Sequence, residues 1–179
     1  MSSVINRRQF LRGDFGGRYK PVRPPGALVE TEFLNACTRC SACIDVCPEK
    51  IIKHGQGGFP ELDFQQGGCS FCGECALACK EQALRPFRQN TVPWSMVADI
   101  RKSCLSLQGI TCRICGDTCK ANAISFKPGP GGISSPALEK TLCTGCGACV
   151  SVCPAHAIKM HESNQRKDQP CQLSTSAVC

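Results

Sequence analysis

The chain has 179 residues, enough for one ordinary domain or two small ones, and 18 of them are cysteine, with 17 Gly, 12 Pro and a formal charge of +7. Cysteine is counted in the 42% hydrophobic share and aromatics supply only 6%, which excludes a large apolar core and leaves disulfides or metal to hold the chain together. No stretch approaches the roughly 20 apolar residues of a membrane span, and the roughly 7 to 15 apolar residues of a signal-peptide core are missing too; the expectation is a reducing, cytoplasmic setting where thiols serve metal.

Residues 1–30 read as a basic flexible arm. Arg7, Arg8, Arg12, Arg18, Lys20 and Arg23 precede Glu30 with Asp14 as their one acidic neighbour. Asn6-Arg7-Arg8-Gln9-Phe10-Leu11-Arg12 has the look of a twin-arginine export box, but Gly13-Asp14-Phe15-Gly16-Gly17-Arg18 is charged where an export signal needs an apolar segment. Two readings stay open: an arm that docks on an acidic protein surface, spaced by the stiff Val22-Arg23-Pro24-Pro25-Gly26, or a solvated tail.

Residues 31–86 contain two copies of one cysteine pattern. Cys37, Cys40, Cys43 and Cys47 read C-x2-C-x2-C-x3-C, and Cys69, Cys72, Cys75 and Cys79 repeat it. After each fourth cysteine a helix is expected, with Pro48 at its first position, followed by a short strand such as Ile51-Ile52. Glu61-Leu62-Asp63-Phe64 alternates as a half-buried strand does. Gly55-Gln56-Gly57-Gly58 between them is a hairpin turn rather than a phosphate loop.

Residues 87–100 read as a linker, with Trp94 as an anchor packing two modules together. Residues 101–160 then repeat the first unit. Cys143, Cys146, Cys149 and Cys153 keep the spacing, while Cys104, Cys112, Cys115 and Cys119 stretch the first gap to seven residues. Strands are expected at Ala123-Ile124-Ser125-Phe126 and Ala157-Ile158, and a turn at Pro128-Gly129-Pro130-Gly131-Gly132. Residues 161–179 form a polar tail with spare thiols Cys171 and Cys179. His54, His156 and His161 are isolated and are not expected to touch metal.

Three thiolates at successive x2 gaps crowd one loop around a cube of iron and sulfide, and the fourth reaches the neighbouring cube; zinc sites favour paired C-x2-C separated by a longer loop. The expected fold class is therefore α+β, two tandem ferredoxin-like two-cluster modules with pseudo-twofold βαβ repeats. Cross-pairing predicts Cys37, Cys40, Cys43 with Cys79, and Cys69, Cys72, Cys75 with Cys47. It likewise predicts Cys104, Cys112, Cys115 with Cys153, and Cys143, Cys146, Cys149 with Cys119. Three to four [4Fe–4S] clusters would be held. The stretched third group leaves two readings, a cubane with a bulged loop or a labile or three-iron centre, and the bulged loop is the expectation. Four oxidised clusters with their thiolates carry about −8 in total, which offsets the basic side chains and removes any need for a nucleic-acid partner. Lys80 and Lys120, in place of proline after two fourth cysteines, are expected to raise the potentials of their clusters. No nucleophile–base pair or dinucleotide fingerprint is present, so an enzyme is not expected.

Phe33 to Pro48, Gly55 to Pro60, Cys69 to Cys79, the spread third group ending at Cys119 and Cys143 to Ile158, together with the Arg-Arg leader and Arg23-Pro24-Pro25-Gly26, resemble the NapF family, ferredoxin-type proteins of the periplasmic nitrate reductase system. The resemblance covers about residues 5–160. It implies a cytoplasmic iron–sulfur protein that binds the precursor of the catalytic nitrate reductase subunit and helps to mature it before export, with the cysteines named above as ligands. The rival reading of the same motifs is a plain electron carrier, or a relay subunit between a quinol or flavin donor and a reductase.

Overall fold

Short antiparallel strand pairs, each closed around cysteine loops, make up the computed structural model, which describes residues 20–88 and 92–163. The leader through Tyr19 and the tail from Asn164, with Cys171 and Cys179, lie outside the described residues. In the first module, α1 (Glu30–Ala36) precedes α2 (Ala42–Asp45), the hairpin β1 (Ile52–His54) and β2 (Pro60–Leu62), and α3 (Glu74–Leu77). The second has β3 (Met96–Ile100), α4 (Ile114–Asp117), the hairpin β4 (Ile124–Pro128) and β5 (Ser134–Leu138), α5 (Ala148–Ser151) and β6 (Ile158–Glu162).

The hairpins repeat in detail. Ile52 faces Leu62 in the first and Ile124 faces Leu138 in the second. Each turn is closed by one glycine amide, Gly55 N–H to Phe59 O and Gly129 N–H to Ile133 O, both at 2.8 Å. Gly57 and Gly58, like Gly131 and Gly132, take φ near +70°, a conformation that only glycine adopts freely. These segments are hairpin turns, as their composition suggested.

Closure of each module differs. In the second, β3 zips onto β6 from Met96↔Glu162 to Ile100↔Ile158. Residues 96–100 were expected within a linker; they form a strand because Met96, Val97 and Ala98 are buried against the module they begin and keep every donor for the ladder. In the first module the same closure shrinks to one bridge, Ala27↔Leu84, flanked by Leu28 N–H to Ala83 O at 3.1 Å and Arg85 N–H to Gly26 O at 2.7 Å. Pro24 and Pro25 have no N–H to extend it.

The same segment corrects the expected arm. Residues 20–30 are not an extension of the leader: the Val22 carbonyl accepts from Leu62 N–H at 2.8 Å, and Pro24 is fully buried. Arg23 makes two hydrogen bonds to the Glu30 carboxylate, at 2.7 and 3.0 Å, donates to Pro60 O, and lies over the rings of Phe33 and Phe59. Its charge is used inside the fold. Phe33, wholly buried on α1, is what this layer packs against, and Glu30 and Glu32 in the first turn of α1 favour its start.

The strands run strand, helix, strand, twice over in the second module, but pair antiparallel. Among the described residues no parallel βαβ pairing forms; every strand pair is antiparallel, and in the second module the first strand returns to the last. One apolar cluster includes residues of both modules, among them Ile51, Leu84, Val97 and Ile158. Trp94 acts as the expected anchor: its indole N–H donates to Thr144 O at 3.2 Å, and it stands edge-on to Phe64 and Phe71, at 6.3 and 5.5 Å.

Candidate iron–sulfur centres

The expected helix after each fourth cysteine is displaced: the four one-turn helices instead contain the third cysteine, Cys43, Cys75, Cys115 or Cys149, and end before the fourth. Beyond it the chain makes a β-turn. Lys50, Gln82, Asn122 and His156 donate their N–H to the carbonyls of Cys47, Cys79, Cys119 and Cys153 at 2.9 to 3.2 Å. All four take φ between +45° and +53°. Pro48 thus serves the second position of a turn, where its fixed φ is favoured, and is not the first residue of a helix. Lys80 and Lys120 occupy the same turn position, so the unfavourable helix-dipole contact that a helical lysine would meet does not arise.

The cysteine loops share a second rule. In C-x-x-C-x-x-C, the residues flanking the middle cysteine are left-handed: Arg39 and Ser41 (φ +60° and +68°), Phe71 and Gly73 (+56° and +84°), Gly145 and Gly147 (+75° and +81°). With this reversal the three cysteines of the first loop line one cavity, and those of the second loop line another. The third group departs from it. Arg113 has φ −134°, and the inserted residues fold into a 3-10 turn over Ser106–Gln108, tied by Gln108 N–H to Cys104 O at 3.1 Å. Ser106 is buried and its hydroxyl donates to Ser134 O on β5. The insertion is a packed loop, and Cys104 is buried at its base.

The structure brings each expected set together. A cavity of about 110 Å3 has Cys37, Cys40, Cys43 and Cys79 in its wall, with Arg39, His54 and Lys80 beside them. A smaller one is lined by Cys47, Cys69, Cys72 and Cys75. In the second module the Cys115 thiol is pushed up to about 11, first by burial and then by the charges of Cys104, Cys112 and Cys153. Cys149 is pushed up to about 12 by burial, then by Cys146, Cys143, Cys119 and Cys115. Cys43 and Cys75 reach about 12 for the same leading reason, with charges from Cys75, Cys37 and Cys79 on the one and from Cys69, Cys72 and Cys47 on the other. Crowded thiols of this kind stay protonated at neutral pH unless a bound cation replaces the protons.

The donor sets fit iron–sulfur cubes. Backbone amides already point at sulfur: Phe71 N–H to Cys69 Sγ at 3.4 Å, and Ala123 to Cys119 Sγ and Ala157 to Cys153 Sγ at 3.3 Å, bonds that stabilise thiolate charge. Among the described residues no group of three or more His, Cys, Asp or Glu is close enough together to hold a single metal ion. His54 lines the first cavity, but its ring nitrogens lie 3.4 Å from Ser41 Oγ and 3.5 Å from Gly58 O.

The profile of the 4Fe-4S dicluster domain matches residues 36–83 and again 110–157. Ferredoxin-type protein NapF of Escherichia coli strain K12 is 42% identical over 158 residues, 88% of this chain and 95% of its own length. The chain belongs to the NapF family of ferredoxin-type proteins. The Haemophilus influenzae NapF agrees at 43% over 173 residues, covering 91% of this chain and 97% of the relative. A more distant relative, the methylamine utilization ferredoxin-type protein MauM of Methylobacillus flagellatus, is 34% identical over 149 residues, 74% of this chain and 63% of that protein. Family and motifs together make this an iron–sulfur electron-transfer protein with several [4Fe–4S] clusters. No helix among the described residues is long and apolar enough to cross a membrane.

Sequence reasoning missed α1 with Phe33, the Arg23 clamp, β3, and the left-handed turn after each fourth cysteine. Met96-Val97-Ala98 was a visible apolar run. The turns were less visible, because Lys and Gln give no signal of positive φ, whereas Asn122 and His156 do.

Proposed function

We propose that this chain is a cytoplasmic electron-transfer protein that docks on the precursor of the periplasmic nitrate reductase catalytic subunit and assists its maturation before export. The observation that carries this reading is similarity to NapF proteins along nearly the whole chain, at 42% and 43% identity. Sixteen cysteines in four sets would be the ligands, including Cys104, whose burial beside Cys115 supports the bulged-loop reading of the third group. Each bound cluster would accept and release one electron. The residues' task is to hold four thiolates in place, aim backbone N–H groups at sulfur and keep water from the buried cysteines.

A second reading is favoured by the MauM relatives, which match about three quarters of this chain under a methylamine utilization name. The two-module core alone then serves as a general carrier or relay, and partner choice resides elsewhere. The leader is where the readings part. Because residues 20–30 pack into the first module, a truncation must stop at Tyr19 if it is to test the leader and not the fold. Capture of the precursor by the full chain, lost on removal of residues 1–19 and absent with mature enzyme, is expected. Equal capture of precursor and mature enzyme, or no capture, would favour the carrier.

A further inference from the structure

The modules meet cysteine to cysteine. Cys69 N–H donates to the Cys146 carbonyl at 2.7 Å, which joins the second cysteine set directly to the fourth. Two glycines permit the approach: a Cβ at Gly68 would run into the backbone of Ala148, and one at Gly147 into the ring of Phe64. Phe64, Phe71 and Trp94 close over the contact, and the Trp94–Thr144 hydrogen bond fastens it. Within the modules α2 packs on α3 and α4 on α5, which sets Cys43 beside Cys75 and Cys149 beside Cys115.

We propose that electrons cross between the modules through the Cys69–Cys146 hydrogen bond, so that the cysteine sets act in the spatial order first, second, fourth, third, and not in chain order. The proposal rests on reading these sets as [4Fe–4S] ligands. With clusters bound, each crossing would oxidise the donor and reduce the acceptor by one electron, with no bond broken and no proton moved. The contact offers a covalent and hydrogen-bonded route from one ligand to another with no intervening water. The path would end at sets that face outward: Cys40 is exposed in the first, and Leu107, Ile110 and Ile114 are exposed around the third.

The test uses the full chain purified under argon, with iron counted before every measurement. In dithionite-reduced wild type, electron paramagnetic resonance should show a spin–spin interaction joining all four clusters. Gly68→Leu drives a wedge against Ala148; with iron retained, it should lose the component linking the modules. It should also redistribute electrons several-fold more slowly after substoichiometric reduction, followed by freeze-quench. Trp94→Phe, which removes the N–H to Thr144 and part of the ring that packs on Phe64 and Phe71, should show a smaller loss in the same direction. An iron-replete Gly68→Leu with unchanged interaction and rate overturns the proposal. Should Gly68→Leu shed iron, the wild type decides alone, since an interaction confined to two separate pairs overturns it as well. Iron deficiency in the wild type would strike at the ligand assignment instead.

Discussion

The first and fourth cysteine groups build the same loop from different residues. In the fourth, Gly145 and Gly147 take the left-handed conformation at no steric cost; in the first, Arg39 and Ser41 are forced into it, each against a penalty of about 1–2 kcal/mol. The loop geometry is therefore not a product of local preference. It is dictated by the need to turn three thiols inward, and the fold tolerates the strain where other contacts favour it, as the Arg39 guanidinium does by lying over Phe59. The third group shows the alternative: with seven residues before its second cysteine, it positions Cys104 by a packed 3-10 turn and does without the reversal.

The strongest way to break this comparison is to remove the metal. With iron stripped by a chelator under argon, each group loses the cube its thiols would surround and is left with protonated thiols around unfilled space, and the cooperative melting seen by circular dichroism should disappear. A stripped chain that still melted cooperatively would mean that the loops hold themselves. Next comes Gly147→Ala, which places a Cβ both at φ +81° and against Phe64; a loss of about 2–4 kcal/mol is expected in thermal or denaturant unfolding. The converse change, Ser41→Gly, should stabilise the first loop by about 0.5–1 kcal/mol, strain relief outweighing the entropy of glycine. An equal response of the two loops to glycine would remove the distinction between them. The smallest effect concerns charge. Lys80 lies in the wall of the first cavity, and Lys80→Ala should lower the midpoint of one cluster by roughly 10–40 mV, as an exposed charge worth about 0.2–1 kcal/mol would. A redox titration with all midpoints unmoved would leave Lys80 with no electrostatic part.

The cysteine arithmetic was legible because it is local: C-x2-C-x2-C brings thiols together whatever lies elsewhere, and the cavity walls contain the very sets that spacing had paired in the first module. The hairpin turns were legible for the same reason, glycines marking positive φ. Boundaries were not. Residues 20–30 looked like an arm because Arg23 and two prolines suggest a stiff basic spacer, yet Arg23 finds Glu30 and two aromatic rings, and Pro24 finds a core. Such partners lie on other segments, and sequence does not announce them.

By itself the sequence determined which residues could bind metal, how many sets they form, and that the chain would depend on something other than an apolar interior, because ligand chemistry and short spacings act within a few residues. Tertiary structure alone decided where each module closes, which non-glycine residues bear left-handed strain, and that the second set touches the fourth. Those outcomes depend on segments far apart in the chain meeting at van der Waals and hydrogen-bond distance, and only the packed molecule fixes such meetings.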